Sequence, residues 1–334
     1  MHELILDLLD QAPAHVITRI PLDQGALIAC FDTPGRAGVG AQAGAPQPPR
    51  WIAKTATTPA AILRLQAEAQ ALGYLEPWSQ TLRIPRILGW QESDHECCLV
   101  QSGALGLPQP CRWDLRRPWA ALPLTLTQAA DWLAYFQQLV PARRPVPLAE
   151  LAGAMRRKLR ENAARDQEAA KLLLELCAII PSHSPDLMSV ACHGDFWRGN
   201  VLFTSGSKLP SLTGVIDWSG FTGSTALDDL LTWMATLTPR APRSRLELWL
   251  ALFFRPGRPR DFLRQWASRH GYDDRAARLA FLVFLARRMQ WELGLDLQAR
   301  DAAERASALG DWAELLAWMA QHNYADPFTP LPCR

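Results

Sequence analysis

Apolar positions run in two rhythms along this chain. Up to about residue 103 they form short runs rich in β-branched and other apolar residues, at 15–20, 26–31, 50–54, 83–89 and 97–101. Turn-forming residues such as Pro21-Leu22-Asp23-Gln24-Gly25 separate them, so the runs read as strands. One helix interrupts the series. Thr58-Pro59 supplies a capping hydroxyl and a proline at the first helical position. Ile62, Leu65, Ala69 and Leu72 then fall on one stripe that carries the helix to about Leu75. Residues 1–13 read as a further short amphipathic helix. Residues 34–49, rich in Gly, Ala and Pro, read as a flexible surface insertion.

Beyond Gly106 the rhythm becomes helical. Ala129, Trp132, Leu133, Phe136, Leu139 and Val140 follow the i, i+3, i+4, i+7 spacing. Similar patterns predict helices over 148–180, 226–238, 244–254, 259–270, 273–297 and 300–322. A strand-and-loop island at 189–218 interrupts them, and no internal repeat is visible. The expected fold is therefore α+β. A small β-rich lobe at 1–103, a five-stranded sheet plus one helix, precedes a larger helical lobe at 104–334.

Composition narrows the classes. The chain is 49% hydrophobic and 20% charged, as a globular protein is. A net charge of +2 gives no general attraction to nucleic acid or a membrane surface. Arg143-Arg144 and Arg156-Arg157-Lys158 read as solvated helix faces. Only four of the 35 basic residues are lysines, which makes Lys54, at the end of an apolar strand, more conspicuous. The seven cysteines form no CxxC pair and read as reduced thiols. No basic leader and no apolar run of membrane-spanning length is seen, so a cytoplasmic protein without membrane or obligate protein partners is expected.

The island carries the chemistry. It reads Cys192-His193-Gly194-Asp195-Phe196-Trp197-Arg198-Gly199-Asn200-Val201-Leu202-Phe203, followed by Gly214-Val215-Ile216-Asp217-Trp218. A hairpin of 201–203 against 212–216 would present Asn200 and Asp217 at its ends. Two hard oxygen side chains suit Mg²⁺ better than a soft metal. Asp195, five residues before Asn200, could face the same ion-bound phosphate while remaining free to accept a proton. In the first lobe, Glu68 points along the apolar stripe of its helix, where an unpaired carboxylate is costly. Lys54 is the economical partner.

His-Gly-Asp-x-x-x-x-Asn followed by Ile-Asp-Trp resembles the catalytic loop and metal-binding aspartate of the aminoglycoside phosphotransferase/choline kinase-like family, which shares the protein-kinase-like two-lobed fold. The resemblance implies ATP in the cleft between lobes, Asp195 as catalytic base, and Asn200 and Asp217 as Mg²⁺ ligands. It implies a structural role for His193 and, within Thr225-Ala226-Leu227-Asp228-Asp229-Leu230, a loop-bracing role for Asp229. Lys54 with Glu68 matches the strand-lysine to helix-glutamate pair that orients ATP phosphates in kinases. Cys97-Cys98-Leu99-Val100-Gln101-Ser102-Gly103-Ala104-Leu105-Gly106 resembles the family's hinge, with the Ser102 carbonyl and Ala104 amide on the adenine edge.

The phosphate loop departs from the pattern. Gly38-Val39-Gly40 lies between the second and third strands, and the loop between the first two holds only Gly25. The implied activity is ATP- and Mg²⁺-dependent phosphorylation of a hydroxyl on a small-molecule metabolite. A catalytically inactive kinase-like nucleotide-binding protein and an aminoglycoside-modifying resistance kinase are the alternatives. The second is disfavoured by charge: from residue 225 on there are 13 Asp and Glu against 15 Arg. A binuclear phosphoesterase would want several histidine ligands. A protein kinase would carry Lys where Trp197 stands.

Overall fold

Five strands form one antiparallel sheet: β1 (His15–Leu22), β2 (Ala26–Asp32), β3 (Trp51–Ala56), β4 (Ile87–Glu92) and β5 (Cys97–Ser102). Their order is β1-β2-β3-β5-β4. The computed structural model describes residues 15–22, 26–32, 51–93, 95–108, 112–113, 122–181, 187–204, 210–236, 238–239, 245–295, 302–324 and 326–328. The helix expected over 1–13, the insertion at 34–49 and the loop holding Gly25 lie outside these residues.

Helix α1 (Pro59–Leu75) packs on β3 and β5. The Thr58 hydroxyl accepts from the Ala61 N–H at 3.4 Å, and Pro59 occupies the first turn. Leu65, Leu72 and Leu75 bury the helix face, and Glu68 lies in the middle of that apolar stripe. The strand expected at 83–89 begins instead at Ile87. Arg83 takes a left-handed backbone conformation, φ 57°, and Pro85 has no N–H for the ladder, so the chain cannot join the sheet earlier.

The chain forms two compact units. The first draws on Met1–Pro110, Leu124–Val140 and His193–Phe221, so most of the strand-and-loop island belongs with the five-stranded sheet. It also contains β6 (Leu107–Pro108), α2 (Leu124–Leu139), β7 (Val201–Phe203) and β8 (Leu212–Val215). β8, β7 and β6 form a second, antiparallel sheet, in which the expected hairpin pairs Val201 with Val215 and Phe203 with Leu212.

The second unit, Cys111–Pro123, Pro141–Cys192 and Thr222–Arg334, is mainly helical. Its main helices are α3 (Leu148–Arg165), α4 (Ala170–Ile179), α5 (Asp228–Ala235), α6 (Arg258–Arg269), α7 (Asp274–Glu292) and α8 (Ala302–Gln321). Helix α7 is buried on nearly every side and contacts α3, α4, α5 and α8. The single helix expected over 148–180 breaks at Asp166, whose extended backbone ends α3. Its carboxylate then accepts from the Ala169 N–H at 3.1 Å as α4 begins. The helix expected over 244–254 has the right place, but Leu250–Phe254 widens into a π turn.

The whole is α+β, a small antiparallel sheet with a larger helical part. No helix among the described residues is long and apolar enough to cross a membrane. Cys97, Cys98, Cys177 and Cys192 are buried free thiols.

Candidate active site

The loop at 193–200 is held by its own histidine. His193 is fully buried; its Nδ1 accepts from the Asp195 N–H at 3.3 Å, and its Nε2 lies 2.9 Å from the Ile216 carbonyl. A neutral ring protonated on Nε2 satisfies both contacts, tying the Asp195 turn to the strand end that delivers Asp217. Burial pushes the imidazole pKa down to about 4, against the opposing pull of Asp217.

This shift has a sign that can be tested. The folded protein keeps His193 neutral, whereas the unfolded chain protonates it near pH 6.5. The stability it contributes is complete above pH 6.5 and is lost as pH falls towards 4. Denaturant unfolding should show wild type losing roughly 2 kcal/mol more than His193→Gln between pH 7 and pH 5. Equal losses would remove the buried neutral imidazole from the account.

Asn200 completes the turn. Its amide Nδ2 donates to the Asp195 carbonyl at 3.0 Å and to Asp195 Oδ2 at 3.2 Å, while its N–H donates to the Trp197 carbonyl. The side-chain oxygen of this buried asparagine therefore faces away from Asp195. The Ile216 N–H donates to the Asn200 carbonyl at 2.9 Å, extending the β7–β8 ladder by one step. Asn200 and Asp217 are thus placed at adjacent strand ends.

Close backbone packing fixes the loop further. Gly194 has φ +83°, and a Cβ there would lie 1.9 Å from the Gly220 carbonyl oxygen. No other residue fits that position. Beneath the loop lies an aromatic bed: Trp218 packs 4.5 Å from the His193 ring, and Trp132 stacks on Phe196 at 5.7 Å. Trp218 is fully buried and donates its indole N–H to the Val215 carbonyl, so it is packing and cannot stack on a substrate. Trp197 is partly exposed, and its ring occupies the space a Cβ on Gly199 would need.

Lys54 and Glu68 meet. The Lys54 ammonium lies 2.6 and 2.8 Å from the two carboxylate oxygens of Glu68, and Glu68 is buried. Burial alone would lower the Lys54 pKa, but Glu68 and Asp217 together raise it, so the lysine is held charged. Burial, with Asp217 adding repulsion, pushes the Glu68 carboxyl up, and Lys54 opposes this. Asp217 is half-buried; desolvation alone would push its carboxyl up, yet Lys54 and His193 keep it below the usual range. Its backbone is left-handed, φ 62°, a strained conformation for aspartate that recurs at functional sites. The Ser219 hydroxyl donates to Asp217 Oδ1 at 3.1 Å.

One structural unit thus brings together Lys54, Glu68, His193, Asp195, Asn200 and Asp217. Asn200 and Asp217 offer a neutral and an anionic oxygen, the hard donor set that suits Mg²⁺. Ser102 ends β5; its N–H donates to the Arg86 carbonyl and its hydroxyl accepts from the Arg86 N–H, both at 2.9 Å. The Ala104 N–H makes no hydrogen bond among the described residues. Asp229 belongs to the second unit, buried in the first turn of α5. Sequence reasoning did not single out Gly220 or Ser219. Their roles are read from the turn they form, and no residue pattern signals it.

Three comparisons bear on this site. A profile of the phosphotransferase enzyme family matches residues 40–266. A search of curated proteins returns no match. Among solved structures, the GDP and kanamycin complex of APH(2'')-IIIa is 17% identical with a TM-score of 0.57, and covers 95% of this chain and 99% of that one. The GDP complex of wild-type aminoglycoside 2'-phosphotransferase-IIIa is 15% identical with a TM-score of 0.56, covering 95% and 98%. The streptomycin–ATP ternary complex of APH(2'')-IIa is 12% identical with a TM-score of 0.51, covering 93% and 95%. At these identities the likeness establishes the fold, which is protein-kinase-like.

Proposed function

This chain belongs to the phosphotransferase enzyme family, and from that premise we propose that it transfers the γ-phosphoryl group of ATP to a hydroxyl of a small-molecule metabolite. The observation that carries the reading is the Lys54–Glu68 ion pair in the same unit as the hydrogen-bonded Asp195–Asn200 turn and Asp217. An inactive nucleotide-binding relative would be expected to have lost one of these side chains.

In this reading Asp195 accepts the proton of the acceptor hydroxyl. Its carboxylate is aimed by Asn200 and its backbone by His193. Lys54, kept charged by two carboxylates, presents its ammonium to the nucleotide phosphates. Asn200 and Asp217 would hold Mg²⁺, which neutralises phosphate charge when bound. The Ser102 carbonyl and Ala104 N–H would meet the nucleobase. Residues 1–103 serve the nucleotide, while 104–334 supply the catalytic loop, the acceptor contacts and Asp229 as a brace. The buried free thiols accord with a reducing, cytoplasmic compartment.

The acceptor is not a polycation. Such a ligand needs several carboxylates able to take its ammonium groups. In the helical unit Asp228 is engaged by Arg287, Glu292 by Arg245 and Arg288, Asp326 by Arg278, and Asp166 by Arg305. These carboxylates are already neutralised. Steady-state kinetics with sugars, amino alcohols and choline-like amines beside kanamycin-type compounds test this. Turnover is expected with one of the first three classes. An aminoglycoside kcat/KM above about 10⁴ M⁻¹s⁻¹ would contradict the assignment.

A further inference from the structure

Glu292, the last residue of α7, is 4% exposed, and a carboxylate so buried is costly unless it is fully paired. Three donors satisfy it. Arg245 and Arg288 both donate to Oε1, and the Trp312 indole N–H donates to Oε2 at 2.9 Å. The buried carboxylate thereby fixes two guanidiniums beside each other. Arg288 also lies 4.4 Å from the centre of the Trp291 ring.

These groups line an open cavity of about 510 Å³, a volume ordinary for a small-molecule site. Helix α8 lines it too, with Glu304, Ser307 and Asp311 three and four residues apart on one helical face. Asp311 stands 3.7 Å from Arg245. Trp291, 38% exposed, adds an indole surface. All of these residues belong to the helical unit. None takes part in the proposed phosphoryl transfer, so a ligand bound here can be measured apart from it.

We propose that this cavity binds a neutral sugar or sugar-like polyol. Guanidinium N–H groups only donate and carboxylates only accept, whereas a hydroxyl does both. A ring of hydroxyls can therefore use Arg245 and Arg288 together with Glu304, Ser307 and Asp311. Ligand charge is disfavoured in either sign, because the lining holds two guanidiniums and, counting Glu292, three carboxylates. An anion meets Glu304 and Asp311; a monocation meets two arginines whose N–H groups it cannot accept. The carbon-bound hydrogens of a sugar face cover the Trp291 indole as an apolar surface. Glu292 holds the arginines before any ligand arrives, which leaves little side-chain ordering to be lost on binding.

Saturation-transfer NMR titrations without nucleotide test this, with methyl α-glucoside, methyl α-galactoside, methyl α-mannoside and sorbitol as neutral probes. Gluconate and choline are the charged ones. Wild type should bind at least one neutral probe with a dissociation constant below about 10 mM, and both charged probes at least about 10-fold more weakly. Two substitutions locate the binding: Ser307→Trp fills the cavity from an exposed position on α8, and Trp291→Ala removes the indole surface. Each should weaken the best neutral probe at least about 10-fold, the scale of one lost apolar contact or hydrogen bond. Thermal melting confirms that each variant is folded, and Ser307→Trp, which disturbs no buried side chain, serves if Trp291→Ala melts early. A wild type that binds none of the neutral probes overturns the proposal, as does one that binds gluconate or choline as tightly as the best of them. Wild-type affinity in a folded variant overturns it as well.

Discussion

Asp195→Asn should lower turnover by at least about 10²-fold while leaving folding and nucleotide affinity nearly unchanged. The substitution preserves the shape of the turn. The Asp195 N–H to His193 bond is a backbone contact, and an amide oxygen can still accept from Asn200 Nδ2. What the amide cannot do is take up the proton of an incoming hydroxyl. The effect should therefore fall on kcat, with nucleotide dissociation constants and melting temperature within error of wild type. Single-turnover kinetics and calorimetry separate the two. A variant with wild-type turnover would take Asp195 out of the reaction.

Asp217→Ala should remove the dependence of nucleotide binding on Mg²⁺ and lower activity by two or more orders of magnitude, the scale for losing a charged group at a phosphoryl-transfer site. Two causes act together. Asp217 is one of the two proposed ion ligands, and its carboxylate also helps keep Lys54 charged. Alanine is poorly suited to the left-handed backbone at φ 62°, so some stability is lost as well. Asp217→Asn tolerates that conformation better and keeps an oxygen, and it serves as the control. Calorimetry with and without Mg²⁺ gives the answer; an unchanged metal effect in both variants would remove Asp217 from the ion site.

Much of this site was legible in the sequence because its parts violate local patterning. Glu68 in the middle of an apolar helix stripe demanded a cation, and Lys54 was the available one; the two meet at 2.6 Å. The apolar run 201–203 and its partner could pair only as a hairpin, which fixed Asn200 and Asp217 at neighbouring ends. The misses have a common character. Nothing in the pattern over 148–180 says that Asp166 stops one helix and caps the next, because a single helix there would be equally amphipathic. The strand near residue 87 was set too early because apolar rhythm outweighed Pro85. The burial of Trp218 and the contact between Gly194 and Gly220 arise from tertiary packing, which periodicity does not encode. The path by which α2 and the 193–221 segment join the sheet unit is topological and equally silent in a linear reading.

The most direct measurement is acceptor-dependent nucleotide consumption across sugars, amino sugars, amino alcohols and choline-like amines, with product mass determined for each hit. Wild type with Mg²⁺ and ATP should convert at least one hydroxylated compound to a species heavier by one phosphoryl group. Asp195→Asn should form it at least about 10²-fold more slowly under the same conditions. Phosphorylated product formed equally fast by both proteins would contradict the account, as would a wild type that binds Mg²⁺-ATP yet phosphorylates none of the compounds.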